Sequence, residues 1–154
     1  MRSRSSAAPI GYAAHVVPLL LLAGLLSSLS GQDKAPLSVW DGIYTDQQAG
    51  RGETAYREAC VSCCGTKLES QEEIPPLAGS DFTSRWDAMS VGDLFDEMQI
   101  SMPADRPGQL SEEQNAAILA YILKFNKFPA GRKELPASAD ALRGIRFESD
   151  RPGR

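Results

Sequence analysis

Three cysteines, the only ones in the chain, fall within five residues, at Cys60, Cys63 and Cys64. They are too few and too close together to cross-link a small secreted fold. If this segment closes a helix, Cys60, Cys63 and Cys64 occupy positions i, i+3 and i+4 and share one face. All three sulfurs can then point at one bound group. The cluster therefore indicates a binding site rather than a structural cross-link.

The composition limits the class of protein. The chain has 154 residues, of which 42% are hydrophobic and 23% charged, which fits one folded domain and excludes a disordered polar chain or a multi-pass membrane protein. Acidic residues outnumber basic ones by 20 to 16. This balance argues against a cationic nucleic-acid-binding surface, so we expect no nucleic-acid partner.

Residues 1–30 have the pattern of an export signal. Arg2 and Arg4 precede an apolar run over residues 16–26, and small residues follow it. The run is shorter than the roughly 20 residues of a membrane-spanning helix, so we expect cleavage, with membrane attachment only if the signal stays uncleaved. Cleavage removes two basic residues and changes the formal net charge from −4 to −6. It also removes His15, the only histidine, and with it the usual metal ligand and general base.

The rest of the chain has the pattern of an all-α domain. Three helices are expected, because an N-cap residue with a partner three positions later precedes each apolar run. The first runs from Thr45 towards Cys60. No stretch shows the alternation of a strand, so the fold class is all-α, with three to four short helices and long loops. The three cap pairs are Thr45 with Gln48, Ser90 with Asp93, and Ser111 with Gln114.

Two further features concern packing. Gly52 lies inside the first helix, where a glycine usually has a packing reason. Residues 129–154 carry several prolines and are expected to form an extended or partly disordered tail. A domain of this kind has a thin core, and a large apolar cofactor at its centre would complete it.

The Cys60-x-x-Cys63 spacing allows three kinds of chemistry. Two such thiols can add to the vinyl groups of a haem, form a redox-active disulfide, or contribute to a zinc site. The disulfide is usually set in a βαβ fold, which is missing, and structural zinc needs a fourth ligand. The motif alone leaves these alternatives open, since the c-type haem motif ends in histidine.

The surrounding motifs extend over most of the chain after the signal. A glycine and an aromatic residue precede the cysteines, a P-x-L-x-G loop follows them, a methionine–proline pair comes next, and a closing helix has an A-Y-L-like pattern. From residue 38 to about residue 128 the chain therefore resembles a class I cytochrome c of the small bacterial monohaem type, of the kind associated with quinoprotein dehydrogenases. The matching residues are Gly52 and Tyr56; Pro75, Leu77 and Gly79; Met102 and Pro103; and Ala120, Tyr121 and Ile122.

The resemblance implies a fold, a cofactor and a function. Residues 38–128 are expected to form a cytochrome c domain around one covalent haem c, which is held by Cys60 and Cys63 with Met102 as an iron ligand. The protein would then be a periplasmic electron carrier, not an enzyme, and soluble after cleavage. Its expected partners are redox proteins, with a quinoprotein dehydrogenase and a terminal oxidase or another cytochrome as candidates.

The chain departs from the family at the proximal ligand, where Cys64 replaces histidine. Cys64 either ligates iron as a thiolate, stays unbound and leaves Met102 with water or a side chain such as Lys67, or prevents haem loading. A thiolate would lower the reduction potential relative to histidine–methionine ligation. The alternatives are a haem-free thiol or metal-binding module on this scaffold and a haem protein with an open ligand site.

Overall fold

The computed structural model describes residues 37–69 and 74–153, which belong to one compact unit. The predicted export signal, with His15, lies outside the described residues. Within the described ranges, no helix is both long enough and apolar enough to cross a membrane.

The described residues form six helices and one pair of very short strands. The all-α prediction is confirmed, but there are more helices than the three to four expected. The two strands pair in parallel, with Leu37 opposite Ile145, and a short 3-10 helix at Val39–Asp41 follows the first of them. The elements are β1 (Leu37–Ser38), α1 (Asp46–Ala59), α2 (Val61–Cys64), α3 (Gly79–Trp86), α4 (Val91–Ser101), α5 (Glu112–Phe125), α6 (Ala139–Leu142) and β2 (Ile145–Arg146).

All three predicted helix starts are confirmed, as N-caps of α1, α4 and α5. Ser90 and Ser111 form complete capping boxes. Thr45 forms only half of the predicted one: its side chain accepts from the Gln48 backbone, but the Gln48 amide points elsewhere. That amide donates to the Leu135 carbonyl at 2.9 Å and accepts from the Leu135 N–H at 2.8 Å.

Helices α3 and α6 were not predicted from the sequence. Their N-cap residues, Ala78 and Ser138, form no side-chain capping hydrogen bond. Without that local signal, and with only eight and four residues, these helices depend on tertiary packing.

Helices α1 and α5 pack along each other, and α4 packs against α5 and α6. Gly52 lies where α1 meets α5: a Cβ at this position would lie 1.8 Å from the Ala117 carbonyl oxygen. The predicted packing reason for this glycine is therefore confirmed.

The segment after residue 128 is more ordered than expected. It contains α6 and β2, and Leu135, Leu142 and Phe147 are buried. The backbone of Phe147 donates to the Met89 carbonyl at 2.8 Å and accepts from the Ala88 N–H at 3.0 Å. The segment is part of the compact unit rather than a surface tail, because its apolar side chains complete the core.

Candidate functional site

The three cysteines lie where α1 passes into α2. Cys60 closes α1, with its N–H donating to the Tyr56 carbonyl at 2.8 Å, and its own carbonyl accepts from the Cys64 N–H at 2.9 Å. Cys60 and Cys63 are half-buried, whereas Cys64 is only 4% exposed. The helical spacing that the sequence predicted for the three thiols is therefore present.

Gly65 ends α2 and turns the chain directly after Cys64. Its φ of 70° is in the left-handed region, and a Cβ there would lie 2.6 Å from Cδ of Glu69. The Glu69 carboxylate accepts from the backbone N–H of Lys67 at 2.6 Å. Glycine is therefore favoured at position 65 by backbone conformation, whereas the flexible end of the Glu69 side chain can move away from a Cβ.

Tyr56 contacts the same turn from α1. Its hydroxyl oxygen lies 2.8 Å from the Gly65 carbonyl and 3.2 Å from the Cys64 carbonyl. Its ring lies 5.4 Å, centroid to centroid, from the ring of Tyr121 in α5. The two tyrosine rings pack against each other between α1 and α5. The hydrogen bonds from the Tyr56 hydroxyl were not predicted from the sequence.

One small cavity brings together the four predicted site residues, Cys60, Cys63, Cys64 and Met102. Met102 is half-buried and caps the C-terminus of α4, where its backbone N–H donates to the Met98 carbonyl at 3.0 Å. Its volume is about 10 Å³, and its other lining residues are Ala59, Ile74, Pro103 and Ala104.

A larger cleft of about 80 Å³ also borders Met102. Leu94 and Met98 in its wall are apolar residues of α4. Trp86, in the same wall, closes α3, a helix that the sequence did not predict. The cleft is lined by Pro75, Pro76, Leu77, Arg85, Trp86, Leu94, Glu97, Met98, Ser101 and Met102.

Burial keeps the Cys60 and Cys64 thiols protonated at neutral pH. It raises the pKa of Cys60 to about 11, with smaller contributions from Cys64 and Cys63. The pKa of Cys64 is also raised, first by burial and then by Cys63. Reactive thiols of redox enzymes have lowered pKa values, so this environment does not favour the disulfide-exchange interpretation.

The residues present fit the covalent attachment of a haem, because two thiols three positions apart and a methionine thioether border one cavity. The adjoining cleft is largely apolar, but its volume of about 80 Å³ is much smaller than that of a typical ligand pocket, about 300–1,000 Å³. The residues differ from the family at the proximal position, where Cys64 faces the same cavity. In the part of the chain that the structure describes, no group of three or more His, Cys, Asp or Glu residues is placed to hold a metal ion.

Known proteins were compared with this chain by sequence and by structure. Comparison with curated proteins gives no match. A chain of the sulfane dehydrogenase SoxCD from Paracoccus pantotrophus is similar in structure at 18% identity, with a TM-score of 0.46, over 81% of this chain and 68% of that one. Residues 47–122 match the family described as cytochrome c oxidase, cbb3-type, subunit III. This match supports a c-type cytochrome domain over residues 47–122, a kind of domain that typically serves haem-based electron transfer.

Proposed function

We propose that the protein is a periplasmic electron carrier with one haem c attached through Cys60 and Cys63. The observation that carries this proposal is the shared cavity: both attachment thiols, Cys64 and Met102 line it together. The protein would exchange single electrons with partner proteins and would not itself convert a substrate. An exported location follows from the signal-like residues 1–30.

Each site residue has a distinct task in this proposal. Cys60 and Cys63 tether the cofactor to α2, whose backbone is closed by the Cys60–Cys64 hydrogen bond. Met102 offers a thioether, which needs no deprotonation to bind iron. Cys64 must lose its thiol proton, because only the thiolate is a strong ligand. Bound haem would supply a one-electron iron centre whose potential depends on these axial donors.

The partners in this proposal are redox proteins, such as a dehydrogenase on one side and an oxidase or a second cytochrome on the other. The attachment segment offers a route for the electron: Ser62 is exposed, and Cys60 and Cys63 on either side are only half-buried. A partner that docks on this segment would approach the tethered edge of the cofactor.

The first experiment tests the covalent haem. The full chain is expressed with its signal in a host that attaches haem, and the exported protein is measured by intact mass and by pyridine haemochrome absorbance. We expect the mass of the mature chain plus one haem. Cys60→Ala and Cys63→Ala should each reduce the attached haem, whereas Ser62→Ala, a change at the exposed position between them, should leave attachment intact. A colourless protein with the mass of its amino acids alone would contradict the proposal.

The second experiment tests the axial ligands. Cys64→His should raise the reduction potential, because imidazole donates less electron density to iron than thiolate does. Cys64→Ala should remove one iron ligand and so let carbon monoxide bind, and Met102→Ala should have the same effect. Met89→Leu, a change of an exposed methionine that lines neither the cavity nor the cleft, serves as the control. An unchanged potential and spectrum in Cys64→Ala would show that Cys64 does not bind iron.

A further inference from the structure

The side-chain hydroxyl of Tyr56, in α1, contacts the backbone at the end of α2. Tyr56 is 1% exposed, and its hydroxyl lies within hydrogen-bond distance of the Gly65 and Cys64 carbonyls. One O–H donates one proton, so the shorter contact of 2.8 Å, to Gly65, takes the larger share. The last carbonyls of a helix have no donor within the helix, and here a buried side chain provides it.

Tyr56 is itself fixed against α5. Its ring packs on Tyr121 with 5.4 Å between centroids, and it lies one turn after Gly52, where the backbones of α1 and α5 are in contact. The hydroxyl therefore has a defined position relative to the α1–α5 pair. A four-residue helix such as α2 has little stability of its own, so this contact connects the cysteines to the rigid part of the fold.

We propose that Tyr56 is a positioning residue for Cys64, which sets where its sulfur lies in the cavity shared with Met102. The proposal rests on the proposed function insofar as that sulfur serves iron. A cysteine side chain has one rotatable bond before its sulfur, so the sulfur follows the backbone closely. Metal sites need their ligands held within about 0.5 Å. The turn after Cys64 has a hydrogen bond of its own, from the Gly65 N–H to the Val61 carbonyl at 3.0 Å, and the Tyr56 hydroxyl adds an anchor from α1.

The hydroxyl can be tested separately from the ring. Tyr56→Phe keeps the ring contact with Tyr121 and removes only the donor. Tyr44→Phe is a matched control, because Tyr44 is also 1% exposed and donates to a backbone carbonyl, that of Phe128, at 2.6 Å. Both variants lose one buried hydrogen bond, but only Tyr56→Phe loses one at the cysteine segment.

Two measurements compare the variants with the wild type. In the haem-loaded protein, the reduction potential and the electron paramagnetic resonance spectrum report the axial ligand; we expect both to change in Tyr56→Phe and to stay at wild-type values in Tyr44→Phe. In the full chain made without haem attachment, alkylation of each cysteine is followed by fragment mass spectrometry. We expect alkylation of Cys64 to accelerate about tenfold in Tyr56→Phe and less than about twofold in Tyr44→Phe.

Equal effects of the two variants, or no effect of Tyr56→Phe, would overturn the proposal. If the exported protein contains no haem, the proposed function fails, and the alkylation rates alone still decide the role of Tyr56. If Tyr56→Phe does not fold, hydrogen exchange in the wild type decides instead. The amides of Cys64 and Gly65 should then exchange as slowly as those in the middle of α1, and exchange as fast as that of the exposed Thr66 amide would overturn the proposal.

Discussion

Gly52 shows how closely one residue controls the packing of two helices. The Ala117 carbonyl lies where a Cβ of residue 52 would be, at 1.8 Å, so α1 and α5 meet backbone to backbone. Neither helix can move away without separating Tyr56 from Tyr121. The glycine therefore determines the distance between the helices that support the cysteine segment.

We expect Gly52→Ala to destabilise the protein by about 3 kcal/mol, because the added methyl group overlaps a backbone carbonyl that no rotamer change can move. Gly50→Ala is the control in the same helix. No atom lies within 4 Å of a Cβ at position 50, so alanine there should stabilise by up to about 1 kcal/mol. Urea unfolding of the three proteins measures both effects, and a similar result for the two variants would contradict this account of the crossing.

For individual residues, the sequence predicted features that depend on the local pattern of neighbouring residues. A glycine inside a helix indicated a close approach. Met102, which borders the cavity with the cysteines, was identified through the resemblance to a family and not by local pattern. The hydrogen bond from Tyr56 to Gly65 could not be predicted, since it joins a side chain to the backbone of a turn nine residues away.

The N-terminus of α4 is stabilised by several side-chain hydrogen bonds and an ion pair. The Asp93 carboxylate accepts from both the side chain and the backbone of Ser90, at 2.7 and 3.0 Å, and an Arg143 nitrogen lies 3.3 Å away. These hydrogen bonds from Ser90, and then the charge of Arg143, hold the pKa of Asp93 below its ordinary value. The cap thus ties α4 to the residue that follows α6.

This lowered pKa predicts a pH dependence of stability. The charged carboxylate stabilises the folded state at neutral pH, and this contribution disappears as the pH falls below about 4, the ordinary pKa of aspartate. Asp93→Asn should therefore lower the free energy of unfolding at pH 7, by about 1 kcal/mol or less because the side chain is 40% exposed, and much less at pH 2.

Urea unfolding between pH 7 and pH 2 gives this comparison, with Asp81→Asn in the first turn of α3 as the control. A loss of stability in Asp93→Asn that is equally large at both ends of the pH range would show that the carboxylate charge is not responsible.

The helices that the sequence predicted are those with a capping side chain. Thr45, Ser90 and Ser111 each accept a hydrogen bond from the backbone N–H three residues on, and each begins a helix. For α3 and α6 there is no such contact, so their positions follow from tertiary packing, which a single sequence does not reveal.

Over the whole molecule, the C-terminal segment supplies part of the core that a cofactor was expected to supply. Phe147 packs edge-on against Phe82 and Phe128, at centroid distances of 5.8 and 5.3 Å. Arg143 reaches Asp96 at 2.6 Å and so holds this segment to α4 from the outside. The prolines that suggested a loose tail are compatible with an irregular chain that is nevertheless buried.

We expect deletion of residues 135–154 to abolish cooperative unfolding. Four buried side chains would be lost, each contributing about 1.5–3 kcal/mol, and their total is comparable to the whole stability of a small domain, about 5–15 kcal/mol. Calorimetry of the deletion variant measures this, with deletion of residues 151–154 as the control, since residues 151–153 are exposed. The four side chains are Leu135, Leu142, Ile145 and Phe147.

A normal melting transition in the longer deletion would show that the helices are stable without this segment. The sequence did not predict its contribution because the segment lacks periodicity: its apolar residues fit gaps between helices instead of forming a stripe on one of them.

The position of Trp86 in the wall of the cleft beside Met102 has an optical consequence. The indole emits near the wavelengths at which porphyrins absorb strongly, so its fluorescence should be quenched when the cleft is filled by such a pigment. Trp40, whose indole N–H donates to the Glu148 carbonyl at 2.9 Å, is held instead by the C-terminal segment. Replacing each tryptophan by phenylalanine separates the two emissions. In the variant that keeps only Trp86, the fluorescence intensity then reports whether the cleft is filled.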